Sequence, residues 1–308
     1  MHGGIKAWTE RGSNGRKWGG FWCNTFVRCF VPRRIVVSLR ERNRLQTNLP
    51  GIRRETQIAQ IPAAGVESTL WTSTIYGMTK AEAYIKSFLS ERNPETRYAS
   101  FDYCYGYFRP FRDKTKEKQS EIDEQTACMQ LMCYLASWGM FRGSSALLRE
   151  KNMRHFLPFV KKVASGGFDE LWDIDCDDYS SQKIQKLIDA YNEVKELVVV
   201  EKQQPMILTT KVMLGVFGCC PAFDTRVTTS LRRRYPKKSG GSGFRTFNAK
   251  ALELVAECYT ENHTVIDSYA ESTQVYDFSS NESPKHHYTK SKVLDMLLFS
   301  ENDSSFNK

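Results

Sequence analysis

The stretch LTTKVMLGVFGCCPAFDTRVTTSLRRR, residues 208–234, decides how the rest of the chain is read. Val212, Met213, Val216 and Phe217 recur at helical spacing, so an apolar helix is expected to run to about residue 218. Pro221 then breaks the chain, and Asp224 stands where an N-cap belongs, ahead of TRVTTSLRRR. Thr209 or Thr210 is the expected cap of the first helix, which places Lys211 in its first turn, where a cation opposes the helix dipole. A lysine in an apolar run often snorkels to water. It is also what an amine nucleophile requires, because burial disfavours an ammonium and frees the lone pair. One helix, a tight turn and a second helix beginning with an aspartate make a helix-hairpin-helix-like arrangement, which would carry Asp224 back towards the start of the hairpin.

Downstream, Arg232, Arg233, Arg234, Lys237, Lys238 and Arg245 fall in an acid-free segment around SGGSG. Each can neutralise a phosphate, and the glycines let backbone approach closely. A solvated loop closing a helix explains the same residues. Tyr235, Phe244 and Phe247 are interleaved with them, as binding of a single strand or a flipped base needs. Core packing would use them equally well.

Working outward, the chain from Met78 alternates helices and loops. In MTKAEAYIKSFLSERN, Ala81, Tyr84, Ile85 and Leu89 share one helical face. FDYCYGYFRPFRDK, interrupted by Gly106 and Pro110, reads as a packed irregular segment. SEIDEQTACMQLMCYLASWGMF is the strongest helix, with Ser120 and Asp123 resembling a capping box and a stripe of Ile122, Met129, Met132 or Cys133, and Ala136. Further helices are expected near 145–164, 182–200, 207–218, 225–234, 246–262 and 289–299, with LVVV at 197–200 ending a helix. The fold class is therefore mainly α, a multi-helix domain over residues 78–308.

Residues 1–77 differ. They hold 12 Lys and Arg against 4 Glu, a net of +8, whereas the remainder is nearly balanced at +1, so nearly all of the net charge of +9 belongs to this quarter. It says little about what the folded domain binds. The segment is rich in Gly, Arg and Pro without a sustained period, and three readings stay open: a disordered basic arm, an organelle presequence, or a start truly at Met78. The third asks nothing of the domain and is preferred. Nine cysteines without an apolar leader or a zinc-type C-x-x-C pair point to reduced, buried thiols in a cytoplasmic protein. No apolar run approaches the ~18 residues of a membrane span.

Other candidate sites have plainer readings. Asp173, Asp175 and Asp177 open like a calcium loop, but the sixth position is Asp178 rather than Gly and the twelfth is Ile184 rather than Glu. An acidic loop capping the helix that begins near Ser181 fits better. His286 and His287 are adjacent, and their side chains diverge, so no metal and no cofactor is expected. Arg142, Gly143, Ser144 and Ser145 stand at a helix start, where free N–H groups hold a phosphate or simply form an N-cap. Hydrolase-elbow, P-loop and dinucleotide signatures are absent.

The combination TTKVM…PAFDTRV resembles the lysine and aspartate segment of the helix-hairpin-helix DNA glycosylases, particularly the 8-oxoguanine-type glycosylase/lyases. The resemblance covers about residues 207–234. It implies a nucleophilic lysine that attacks the sugar C1′ and forms a Schiff base, and an aspartate at a helix N-terminus that assists glycosidic cleavage. The matching positions are Lys211 and Asp224. The Gly-rich hairpin of that family is missing, and the lysine-to-aspartate spacing is short. Residues 78–299 also resemble a family of uncharacterised bacterial proteins through WGMFRGSS, WDID, TKVMLGVFG-PAFD and YTKSKVLDM. The expectation is a DNA-binding protein with glycosylase/lyase chemistry on a damaged base. Its rival is a non-catalytic bacterial interaction protein, associated with defence or a mobile element, that keeps the fold.

Overall fold

A computed structural model of the protein describes residues 78–112, 123–201, 204–238, 244–278 and 286–302, all within the compact unit Leu70–Lys308. The expectations for residues 1–77, and those resting on Ser120 and Ile122, lie outside the described residues.

The domain is mainly helical, and no strand occurs among the described residues beyond one antiparallel bridge between Gln274 and His287. Helix α1, Lys80–Glu91, is capped by Thr79, whose Oγ1 accepts the Glu82 N–H at 3.1 Å, and it buries Ala81, Ile85 and Phe88. Helix α2, Ser100–Phe108, occupies the aromatic segment expected to be irregular. Phe101, Cys104, Tyr105 and Phe108 are buried there, and this burial outweighs the poor helix propensity of Gly106. Helix α3, Glu124–Ser137, starts at Asp123, which accepts the Gln125 and Thr126 N–H groups. Its buried face is Ala127, Cys128, Leu131, Tyr134 and Leu135. The expected stripe is thus displaced: Met129 and Cys133 are exposed. Apolar residues surround this helix, so periodicity alone could not select the face.

Helices α4, Ala146–Glu150, and α5, Leu157–Ala164, lead through an acidic turn to α6, Ser181–Val198, capped by Ser180. That turn is spent on ion pairs and caps. Asp175 accepts the Lys290 and Ser291 N–H groups at 2.7 Å, Asp177 pairs with Lys290, Asp173 with Arg112, and Asp178 with Lys183.

Helix α7 is Pro205–Phe217, α8 Thr225–Arg234, α9 Ala249–Ser272 and α10 Lys290–Ser300. Two of these are buried nearly all round, α7 from Leu208 and α10 from Ser291, and they form the centre of the fold. Helix α7 packs on α2, α3 and α6, while α10 packs on α1, α8 and α9. Each fully buried Leu, Val or Phe in them contributes roughly 1.5–3 kcal/mol.

The start of α7 corrects the sequence reading. Gln204 is its N-cap and Pro205 opens it, where a missing N–H costs nothing. Thr209 and Thr210 are therefore interior, and Lys211 sits mid-helix. The Thr210 hydroxyl bonds back to the Met206 carbonyl at 2.7 Å. Gly215 lets α3 approach: a Cβ there would lie 2.3 Å from the Tyr134 ring. Gly218 ends the helix at φ 65°, the left-handed cap that glycine adopts without strain.

Candidate functional site

Helix α7 holds Lys211 on a buried segment, and the chain 218–224 returns to begin α8 at Asp224. One Asp224 oxygen, Oδ1, accepts the Arg226 and Val227 N–H groups at 3.0 and 3.1 Å. The other, Oδ2, accepts from Lys211 Nζ at 3.0 Å. The lysine side chain is 5% exposed and the aspartate 16%. One carboxylate thus caps a helix and neutralises a nearly buried ammonium.

The returning segment is fastened by side chains rather than by backbone pairing. Asp295 Oδ1 accepts the Ala222 N–H at 3.0 Å, and Thr210 Oγ1 accepts the Phe223 N–H at 2.9 Å. Tyr179 donates to the Cys219 carbonyl at 2.7 Å and Thr289 to that of Gly218 at 2.8 Å. Four separate side chains therefore set where Asp224 stands.

Lys211 and Asp224 line one cleft of about 350 Å³, within the range of ligand sites. Trp138, Ile207 and Phe299 supply apolar wall, and Arg97, Arg142 and Arg226 supply positive charge. Lys211 Nζ stands 5.4 Å from the Trp138 ring centroid, and the Arg97 guanidinium 5.3 Å from it. The Arg226 guanidinium lies 4.4 Å over Phe299. With four cationic side chains against the single carboxylate of Asp224, the cleft favours an anion.

Behind it, a second lysine is wholly enclosed. Lys292 Nζ lies 3.2 Å from Asp295 Oδ2 and within 5.9 Å of the rings of Phe88, Phe101 and Trp138. Burial pulls its ammonium below the ordinary lysine value, against the opposing pull of Asp295. Burial also raises the Tyr134 phenol well above its ordinary value, reinforced by the Asp295 and Asp224 carboxylates. A further carboxylate, the wholly buried Asp102, accepts from two of the Arg92 nitrogens, the Tyr276 N–H and the Tyr288 hydroxyl.

The other residues singled out from sequence scatter. Arg142 joins the cleft, whereas the exposed Ser144 does not line it and precedes a helix of only five residues. Arg234 pairs with Glu301 at 3.0 Å, Lys238 with Glu257, and Arg232 donates to Thr228 at 3.0 Å. Arg233, Lys237 and Arg245 are exposed. None of the described residues among 232–245 lines the Lys211 cleft. Tyr235, Phe244 and Phe247 are buried, and Phe247 stacks on Tyr191 at 4.7 Å, which gives them to the core. Sequence reasoning missed Arg97, Trp138, Arg226 and Phe299. Only Arg226, two residues after the cap, and Trp138, inside WGMFRGSS, carried a signal.

Among the described residues no group of three or more His, Cys, Asp or Glu could hold a metal ion, and no helix is long and apolar enough to cross a membrane. No protein-family model matches the chain, nor does any curated protein or solved structure.

Proposed function

We propose that the protein binds DNA and acts as a glycosylase/lyase on a damaged base, in a helical domain of the helix-hairpin-helix glycosylase kind. One observation carries the reading. An amine and a carboxylate 13 residues apart meet at 3.0 Å on the wall of a positively charged, aromatic-lined cleft. An extruded nucleotide offers a flat base, an electrophilic C1′ and flanking phosphates, and each has a counterpart there.

In the proposed reaction Asp224 takes the proton of the Lys211 ammonium, and the free amine attacks C1′. The bond from C1′ to the base breaks, and its electron pair leaves with the base, which takes up the proton that Asp224 carried. One of the two protons on the attached nitrogen passes to the ring oxygen as the C1′–O bond opens, which leaves a protonated iminium joining Lys211 to the sugar. Ionised again as the base departs, Asp224 offsets the positive charge carried at C1′ and on the iminium.

The rival is a protein that keeps the same pair for stability alone. It is favoured by the commitment of both Asp224 oxygens within the protein. Borohydride trapping on duplexes and single strands carrying 8-oxoguanine, uracil or an abasic site separates the two. Wild type is expected to form a covalent adduct that Lys211→Gln abolishes without loss of DNA affinity. No adduct on any of the three lesions, in duplex or in single strand, would sink the enzyme and leave the interaction protein.

A further inference from the structure

Arg97 and Ser137 line both the Lys211 cleft and a second groove of about 430 Å³, so the two adjoin at these residues. The groove differs in chemistry. Its wall is mostly apolar, with Tyr103, Met129 and Phe278 among its residues and Glu95 as its one carboxylate. Only three large apolar side chains are exposed among the described residues, Met129 at 45%, Leu148 at 47% and Phe278 at 82%. Two of the three face this groove, and Phe278 meets Tyr103 edge-on at 5.6 Å. Apolar surface left in water beside a cluster of guanidiniums marks a ligand with flat apolar faces and regular negative charge.

We infer that cleft and groove form one track for a single DNA strand, whose unpaired bases lie against Tyr103, Met129 and Phe278 next to the nucleotide held at Lys211. This rests on DNA being the ligand of the cleft. Arg97 stands at the junction, its guanidinium 5.1 Å from the Tyr98 ring and 5.3 Å from Trp138, where a backbone phosphate passing from one compartment to the other would meet it. Intact duplex hides its base faces in the stack and leaves the groove with no partner. An unpaired strand presents those faces, and stacking on aromatic side chains is tolerant of sequence. The substrate class is therefore DNA with unpaired bases beside the target: a single strand, a bubble or a frayed junction.

Fluorescence anisotropy on the full chain tests this with three labelled probes of one sequence, about 15 nucleotides long: a single strand, its blunt duplex and a duplex with a central bubble. The single strand and the bubble are expected to bind at least about fivefold more tightly than the blunt duplex. Phe278→Ala and Met129→Ala should each weaken the single strand about fivefold or more, with the blunt duplex unchanged. Both side chains are exposed, so neither change threatens the fold. Arg97→Ala should weaken all three probes and flatten the salt dependence by about one slope unit. Tighter binding of blunt duplex, silence of Phe278→Ala on the single strand, or failure of all three probes to bind would overturn the track. Trapping keeps the two questions apart. An adduct on duplex with a silent Phe278→Ala removes the track and leaves the lyase, whereas a Phe278-dependent single-strand preference without any adduct removes the lyase and leaves the track.

Discussion

Asp224 gives one carboxylate oxygen to the N-terminus of α8 and the other to Lys211 Nζ at 3.0 Å. The double use makes the two halves of its role separable by mutation, because asparagine also caps helices well.

Asp224→Asn keeps the cap and removes the charge. It leaves a lysine with 5% exposure without its counter-ion, near the rim guanidinium of Arg226. The expected loss is about 1–3 kcal/mol in urea unfolding. Lys211→Met should cost less, since the remaining carboxylate still holds two N–H donors and is 16% exposed. Equal costs would show that the pair is not the reason for the difference.

Lys292 and Asp295 form a pair in which both partners are enclosed, at 2% and 10% side-chain exposure. Removing the cation alone, by Lys292→Met, strands a carboxylate whose remaining partner is the Ala222 N–H, and should cost about 3–5 kcal/mol. Lys292→Met with Asp295→Asn should recover most of that, because the amide oxygen still accepts from Ala222 and no charge remains buried. A double variant as unstable as the single would show that packing, not charge, sets the cost.

Gly215 tests the contact of α3 with α7. In an open helix Gly→Ala gains roughly 0.5–1 kcal/mol. Here the new methyl would stand 2.3 Å from the Tyr134 ring, so the sign reverses. Overpacking of this kind costs about 1–3 kcal/mol. Tyr134→Ala in the same chain should restore tolerance of the Gly215→Ala change, measured as the non-additivity of the two substitutions in thermal unfolding.

Stability should fall as the pH rises above about 9. Burial raises the thiols of Cys104 and Cys176 and the phenols of Tyr134, Tyr179 and Tyr288, a hydrogen bond with Cys219 together with burial raises the thiol of Cys220, and burial pushes the Cys258 thiol up to about 11. Above the ordinary thiol value of 9.0 the unfolded chain sheds protons that the folded chain keeps. The folded state then binds more protons, and its stability falls with pH. Lys292 acts oppositely. Its folded value is lowered, so below 10.5 the unfolded chain binds the extra proton and this contribution grows with pH. Several acids against one base give a net fall. The melting temperature under reducing conditions should decline steadily from about pH 9 to 10.5, and more steeply in Lys292→Met.

Much of the fold was legible in the sequence. Asp224 is a helix cap as expected, α8 spans Thr225–Arg234 as its pattern indicates, and LVVV closes α6, whereas Asp123 caps α3 itself instead of standing three residues into a helix capped by Ser120. These follow from local chemistry: a short acceptor before a helical period satisfies N–H groups wherever the helix is placed. The errors came where local signals were ambiguous. Apolar residues surround α3, threonines precede Lys211 inside α7 rather than at its start, and the aromatics of α2 outweigh the glycine among them.

What the sequence by itself determined is the mainly helical class, the cap at Asp224 and the pairing candidates Lys211 and Asp224. What only the tertiary structure decided is the company they keep. Arg97, Trp138, Arg142, Arg226 and Phe299 come from separate elements and meet around one cleft, while the basic run at 232–238 is in part tied up by Thr228, Glu257 and Glu301. Spacing along a chain specifies which side chains share a helix face. Which faces meet, and which charges are neutralised when they do, depends on packing between helices far apart in sequence.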